Sequence, residues 1–165
     1  MRIAVLADTH APRRWQRCPP AVARHLEGVD LILHAGDVCT AGVLDELSAF
    51  APVRAVLGNN DGHEVAEWGA TETLTVELAG LRVGMVHDAG PSDGRLRRLR
   101  RRFPEAALVV FGHSHIPLDA EDTTLGLRIF NPGSPTDRRR QPVGTIGLLE
   151  VWRGRLTEAR IVPVT

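Results

Sequence analysis

The first third of the chain alternates between short apolar runs and amphipathic stretches. Residues 2–7, 30–34 and 53–57 are nearly continuous apolar runs, a pattern that predicts strands buried on both faces. Residues 21–28 and 42–50 separate these runs and predict two helices, which end at a glycine and ahead of a proline. The resulting order, strand–helix–strand–helix–strand, predicts parallel strands joined by helical crossovers.

The rest of the chain has a different pattern, richer in alternating segments. In order it predicts a hairpin over residues 73–87, a basic helix over 93–103, a strand over 107–111, two further short segments over 118–122 and 127–130, and a final hairpin over 143–162. Parallel and antiparallel strands in one chain indicate two mixed sheets. We therefore expect an α/β protein, a four-layer α/β/β/α sandwich of two mixed sheets with flanking helices, as a single domain over residues 1–165.

Composition and charge narrow the range of functions. The chain has 165 residues, of which 43% are hydrophobic and 24% charged, enough for one globular core. Basic and acidic residues number 20 each, so no overall field attracts nucleic acid or a membrane. All of the basic residues are arginine, and the absence of lysine excludes Schiff-base chemistry and a lysine-dependent phosphate loop.

Two further features indicate a cytoplasmic protein with no membrane segment. Cys18 and Cys39 have neither the number nor the spacing of a disulfide framework or a zinc site, so we expect reduced thiols. The apolar run at the N-terminus is too short for a signal peptide, and no run approaches the roughly 20 residues of a membrane span.

The candidate chemistry lies where the predicted strands end. Seven metal-binding side chains follow five different strands: Asp8, His10, Asp37, Asn59, His87, His113 and His115. Ligands of such sheets bind beyond the carboxyl ends of the strands, so we expect these loops to meet in one crevice. Imidazole together with carboxylate favours manganese, iron, zinc, cobalt or nickel over calcium, which prefers oxygen alone.

Seven ligands are enough for two metal ions. Each ion would have about four ligands if one carboxylate bridges, with positions left for water and substrate. Two divalent ions against two carboxylates leave a local excess of about two positive charges, which favours a phosphate oxyanion.

The ordered series D-x-H, G-D, G-N-x-D, H and G-H-x-H resembles the calcineurin-like metallophosphoesterase superfamily. The short chain and the later Asn131-Pro132-Gly133-Ser134 resemble its small prokaryotic phosphodiesterase branch, and the motifs extend from residue 8 to residue 134. This resemblance implies a binuclear metal-dependent phosphodiesterase that hydrolyses a small or nucleotide-like diester with a metal-activated hydroxide.

The resemblance also assigns roles to residues. Asp8, His10 and His115 would hold the first metal, Asn59, His87 and His113 the second, and Asp37 would bridge them. Mn²⁺ is the favoured ion, with Fe, Zn, Ni, Co or Mg as alternatives. Asp37, Asn59, Asn60 and His87 are the residues assigned to catalysis. The resemblance further implies a homodimer or homotetramer.

Two positions depart from the wider family pattern. Larger members carry a histidine, as the proton donor to the leaving group, where this chain has Asn60, which cannot act as an acid near neutral pH. His63 is an alternative donor close by in sequence. Asp88 stands where the family often has glycine, and it either orients His87 or faces solvent.

Other polar residues have structural interpretations. His34 lies on a buried strand and is expected to be a hydrogen-bonded core residue, and Asn131 and Ser134 to shape their turn. Arg95–Arg102 contains six arginines around an apolar stripe, which predicts a solvated helix, with a polyanion-binding face as the alternative. One arginine of residues 138–140 is a candidate for gripping a substrate phosphate.

Three other functions remain open. The same metals would serve a phosphomonoesterase. The retromer scaffold subunit, a branch of the superfamily, uses the fold as a binding platform with an altered metal site, whereas every ligand position here holds a competent ligand. A nuclease is supported only by the arginine helix, so we expect a small phosphoester substrate, with nucleic acid as the weaker alternative.

Overall fold

The computed structural model describes residues 1–164. Its strands are β1 Arg2–Leu6, β2 Leu31–His34, β3 Val53–Ala55, β4 Thr73–Leu78, β5 Leu81–Val86, β6 Leu108–Val110, β7 Leu118–Asp122, β8 Leu127–Asn131, β9 Thr145–Trp152 and β10 Arg155–Pro163. Its helices are α1 Pro20–Leu26, α2 Ala41–Ser48, α3 His63–Trp68 and α4 Arg95–Arg102. None of these helices combines the length and apolar character needed to span a membrane.

The strands form two five-stranded sheets, and both are mixed. The first has the order β10-β9-β1-β2-β3, in which β1, β2 and β3 run parallel while β9 is antiparallel to β1. The second has the order β4-β5-β6-β8-β7, in which β5, β6 and β8 run parallel and both outer strands are antiparallel to their neighbours. The predicted crossovers and both hairpins are thereby confirmed.

Three hydrophobic clusters join four layers. Successive side chains of a strand point to opposite faces, so Ile3 and Val5 of β1 enter the cluster between the sheets while Ala4 and Leu6 enter the outer one. Helices α1, α2 and α3 cover the outer face of the first sheet, and α4 covers the second sheet. This arrangement confirms the predicted α/β/β/α sandwich.

Helix α3 is an element that the sequence pattern did not predict. It has only six residues, of which Val65 alone is buried, so no helical stripe is visible in the sequence. Gly69 ends it with a φ of 117°, a backbone conformation that favours glycine. The third strand also ends earlier than predicted, at Ala55 rather than at residue 57.

Candidate metal centre

The loops that follow β1, β2, β3, β5 and β6 meet at one end of the two sheets. Main-chain hydrogen bonds hold neighbouring loops together, from the Asp8 amide to the Gly36 carbonyl at 2.9 Å and from the His10 amide to the Asp37 carbonyl at 3.0 Å. The Gly112 amide likewise donates to the His87 carbonyl at 2.9 Å, within the second sheet. All seven predicted ligands lie in this region.

Asp8, His10 and His115 form a first cluster. His115 Nε2 lies 3.3 Å from Asp8 Oδ1 and 3.2 Å from His10 Nε2. Asp8 and His115 are fully buried, and the His10 side chain is only 16% exposed. The structure therefore gathers the three side chains that the resemblance assigned to one metal.

Asn59, His87 and His113 form a second cluster. Asn59 Oδ1 lies 3.1 Å from His87 Nε2 and 2.9 Å from His113 Nδ1, and the two imidazole nitrogens are 3.3 Å apart. His87 is buried, whereas Asn59 and His113 are exposed at the mouth of the site. This side of the site is therefore open to solvent.

Asp37 lies between the two clusters. Its Oδ2 is 3.7 Å from His10 Nε2 in the first cluster and 3.4 Å from His87 Nε2 in the second. The Asn60 side chain donates to the same oxygen at 2.7 Å, and the Asn60 amide donates to Oδ1 at 2.8 Å. A single carboxylate oxygen is thus within reach of both groups of ligands.

The protonation equilibria of the site favour an ionised Asp37. Burial alone would raise its pKa, but hydrogen bonds from His87 and Asn60 outweigh burial and hold the pKa well below its usual value. Burial lowers the pKa of His10. Burial alone would also lower the pKa of His87 and His115. Their hydrogen bonds to Asp37 and Asp8 outweigh burial, so the pKa of each histidine is raised above its usual value.

The contacts among these donor atoms are unfavourable without a cation and suit a divalent metal. Asp8 Oδ2 is buried and has no hydrogen-bond partner in the described part of the chain, a costly state for a carboxylate oxygen unless a cation compensates it. Two pairs of imidazole nitrogens also face each other, at 3.2 Å and 3.3 Å. Carboxylate, amide oxygen and imidazole together suit transition metals.

The ring nitrogens that face away from the site are tied to main-chain carbonyls. His87 Nδ1 donates to the Ala35 carbonyl at 2.7 Å, and His115 Nδ1 donates to the Asp137 carbonyl. These bonds keep a proton on Nδ1, so Nε2 of each ring is the nitrogen that faces the clusters and would bind a cation once it loses its own proton. Such orientation of a histidine by its outer hydrogen bond is the usual arrangement at metal sites.

Asp61 is a site residue that the sequence analysis missed, although it closes the G-N-x-D motif. Its carboxylate accepts three main-chain hydrogen bonds, from Asp37 at 3.0 Å, from Gly58 at 2.7 Å and from Cys39 at 2.6 Å. It therefore ties the loop after β2 to the loop after β3. Its place in the motif was the sequence feature that could have identified it, but its three hydrogen-bond partners are apparent only in the fold.

The turn at Asn131–Ser134 supports the first cluster from behind. Ser134 Oγ donates to the Asp8 carbonyl at 2.8 Å and accepts from the Asp137 amide at 2.8 Å. Asn131 Nδ2 donates to the Gly112 carbonyl at 2.8 Å. Both residues shape the turn beside the site, as predicted.

Backbone strain is concentrated in the same loops. Of the described non-glycine residues, those with positive φ include five predicted ligands: Asp8 at 57°, His10 at 50°, Asp37 at 55°, His113 at 67° and His115 at 57°. Each such conformation costs about 1–3 kcal/mol and persists only where the surrounding structure enforces it. Strain of this kind is typical of a functional site.

Asp88, which departs from the family pattern, and His63, the alternative proton donor, both lie at the surface. Asp88 is exposed, accepts from the Gly90 amide at 2.7 Å, and has Oδ2 4.0 Å from His113 Nε2; no contact with His87 is formed. The His63 side chain is 85% exposed and pairs with Glu67 at 3.1 Å along α3. His63 thus points to solvent, which removes the main support for a proton-donating role.

Histidine and cysteine residues next to the ligands have structural contacts. His34 is fully buried with Nε2 3.2 Å from Thr9 Oγ1, and burial lowers its pKa to about 4, which confirms the predicted core role. Cys39 Sγ lies 3.7 Å from His10 Nδ1, and burial raises the pKa of this thiol to about 11. Cys18 and Cys39 are both free thiols.

The chain is similar to known proteins over nearly its full length. The calcineurin-like phosphoesterase superfamily domain matches residues 1–154. A probable metallophosphoesterase of Methanothermobacter thermautotrophicus is 39% identical over 140 residues, covering 82% of this chain and 78% of that protein. A probable metallophosphoesterase of Methanocaldococcus jannaschii is 35% identical over 167 residues, covering 99% and 82%.

Solved structures share the fold at lower identity. Wild-type Vps29 of Entamoeba histolytica in complex with zinc superposes with a TM-score of 0.80 at 23% identity, covering 100% of both chains. A structure described as a novel archaeal phosphodiesterase superposes with a TM-score of 0.76 at 22% identity, covering 99% of both chains.

Proposed function

The chain belongs to the calcineurin-like phosphoesterase superfamily, and on this premise we propose that it is a binuclear metal-dependent phosphodiesterase acting on small or nucleotide-like diesters. The observation that carries the proposal is the position of Asp37. Its Oδ2 lies 3.7 Å from a nitrogen of the first cluster and 3.4 Å from one of the second, so one oxygen is placed to serve both.

Each cluster supplies the ligands of one ion. The first cluster would hold one metal and the second cluster the other, with Asp37 shared, and Asp8 is close enough to both groups to contribute to either. When bound, two divalent ions supply an ionised water as nucleophile and neutralise the phosphoryl oxygens. Mn²⁺ is our choice for the first trials because it accepts oxygen and nitrogen ligands alike.

The protein groups complete the site without an acid. Asp37 is ionised at neutral pH because its pKa is depressed, so it is ready to bind cations. Asn60 lies against Asp37, but its amide is not acidic near neutral pH and cannot protonate a leaving group. A diester whose leaving alcohol is acidic reacts without such help, so the site should favour an aryl leaving group over an alkyl one.

A metal-by-substrate screen of the purified protein tests the proposal. We expect hydrolysis of bis(p-nitrophenyl) phosphate with Mn²⁺, at a higher kcat/KM than that of p-nitrophenyl phosphate under the same conditions. Iron, zinc, nickel, cobalt and magnesium complete the panel. The reverse preference would identify a phosphomonoesterase.

The scaffold alternative gains from the fold shared with Vps29, although likeness at 23% identity shows the fold alone. It is opposed by the complete ligand set and by the buried, unpartnered Asp8 Oδ2. Metal analysis of the same samples separates the two. Protein that retains no ion and hydrolyses neither ester would be a scaffold.

The nuclease alternative loses support in the structure. Three arginines of α4 donate hydrogen bonds to main-chain carbonyls. Arg95 donates to Gly90, and Arg98 donates to Ala89, Pro91 and Asp93. Arg100 donates to four carbonyls, those of Phe103, Pro104, Ala106 and Gly126. Leu99 and Phe103 form the predicted core-facing stripe. Half of the arginines thus serve the fold, which leaves Arg97, Arg101 and Arg102 as the exposed arginines of the helix.

A further inference from the structure

An open cavity adjoins the second cluster. Its volume is about 470 Å³, and all three side chains of the second cluster line it. The wall continues to the apolar side chains of Leu57 and Val86 and to Arg102, which lies in the last turn of α4. A group joined to a phosphate at the metals would enter this space, because the exposed side of the site opens here.

Arg102 differs from three of the five arginines that precede it on the helix. The guanidinium groups of Arg95, Arg98 and Arg100 are engaged by main-chain carbonyls. Arg102 is exposed, and its guanidinium carbon lies 6.0 Å from the centre of the Phe103 ring. In the part of the chain that the structure describes, Arg102 forms neither an ion pair nor a hydrogen bond.

Three carboxylates also line the cavity, and they limit what Arg102 can bind. Asp61 is engaged by three main-chain amides, and Asp88 accepts from the Gly90 amide. Glu72 is exposed and negative. Because the cavity also carries this negative charge, we expect it to favour a single anionic group beside the guanidinium, whose planar donors suit phosphate, over a long polyanion.

Resting on the proposed diesterase function, we propose that Arg102 binds a second, non-scissile phosphate of the substrate. The substrate class is then a phosphodiester whose nucleoside portion carries another phosphate. The nucleoside would lie against Leu57 and Val86 between the two phosphates. Arg102 is a specificity residue in this scheme and takes no part in bond cleavage.

Two chromogenic diesters that differ in one phosphate test the assignment. They are the 5′-(p-nitrophenyl) ester of thymidine 5′-phosphate, with and without a 3′-phosphate, assayed with the Mn²⁺-loaded protein. We expect the 3′-phosphate to lower KM by roughly 10- to 100-fold in the wild type, as for a hydrogen bond to a charged group. Arg102→Gln should abolish this preference, Arg102→Lys should keep part of it, and Arg97→Gln, on an exposed face of the same helix, should keep it whole.

A wild type without the preference, or Arg102→Gln protein that retains it, would overturn the assignment. Calorimetric binding of thymidine 3′,5′-bisphosphate and thymidine 5′-monophosphate gives a readout independent of turnover. Tighter binding of the bisphosphate that depends on Arg102, without hydrolysis of either ester, would uphold the phosphate site and refute the diesterase. Hydrolysis of both esters with no difference that depends on Arg102 would support the diesterase and refute the phosphate site.

Discussion

At the scale of single residues, Asp37 is the side chain that makes two clusters into one site. It is 2% exposed, lies within 3.7 Å of both imidazoles that flank it, and is held by two hydrogen bonds from Asn60. Its depressed pKa keeps a full negative charge where two cations would lie. Removing this charge should therefore weaken metal binding at both positions.

Asp37→Asn is expected to lower kcat/KM for bis(p-nitrophenyl) phosphate by more than about 100-fold, because even outer partners of metal ligands are worth 10- to 100-fold. Asp93→Asn makes the same change at an exposed carboxylate and should leave the rate within twofold of wild type. Full activity of the Asp37→Asn protein with Mn²⁺ would show that no metal depends on this carboxylate.

The side chain at position 60 should determine how strongly the rate depends on the basicity of the leaving alcohol. Asn60→His should raise rates on alkyl phosphodiesters relative to aryl ones, because general acid catalysis contributes roughly 10²- to 10⁴-fold where the leaving alcohol is basic. Asn60→Ala removes the hydrogen bond to Asp37 without adding an acid, and so serves as the control. Equal leaving-group dependence of the two variants would remove this explanation.

At the scale of elements, the site depends on two loops that approach without room for a side chain. A β-carbon on Gly58 would lie 2.2 Å from both the Asp37 amide nitrogen and Oδ1. Asp61 then joins the same two loops through three main-chain hydrogen bonds. Glycine at position 58 is therefore required by close packing of backbone against a ligand.

Gly58→Ala should displace Asp37, weaken Mn²⁺ binding by about tenfold or more, and destabilise the fold by about 1–3 kcal/mol through overpacking. Gly62→Ala is the matched control in the same loop, because a β-carbon there meets no atom within 4 Å and φ is −97°. Calorimetric Mn²⁺ titration and thermal unfolding measure both effects. Equal behaviour of the two variants would contradict the packing argument.

The sequence predicted the long elements well because their apolar pattern is strong. The buried runs of β1 and β2, both hairpins and the stripe of α4 are all visible as periodicity. Helix α3 was missed because a six-residue helix with one buried side chain has no detectable period. The role of Gly69 in ending this helix is apparent only when the backbone conformation is known.

At the scale of the whole molecule, the order of strands decides which residues meet. Strand β1 lies between β9 and β2, and β6 lies between β5 and β8, so loops from both sheets open at one end of the sandwich. The resemblance of the motifs predicted seven ligands, and the structure brings these seven side chains together. The place of Asp61 and the cavity beside Arg102 could not be predicted, because they depend on contacts between distant segments. The engagement of three helix arginines depends mainly on the conformation of the loops next to the helix, which the apolar pattern does not reveal.

In a chain of zero net charge, bound cations would create a local site for anions. The most direct test is anomalous diffraction from crystals of the wild-type protein grown with excess Mn²⁺. We expect two manganese peaks about 3.5–4 Å apart, with Asp37 touching both and the two clusters on either side. A single peak, or two ions that do not share Asp37, would contradict the binuclear centre.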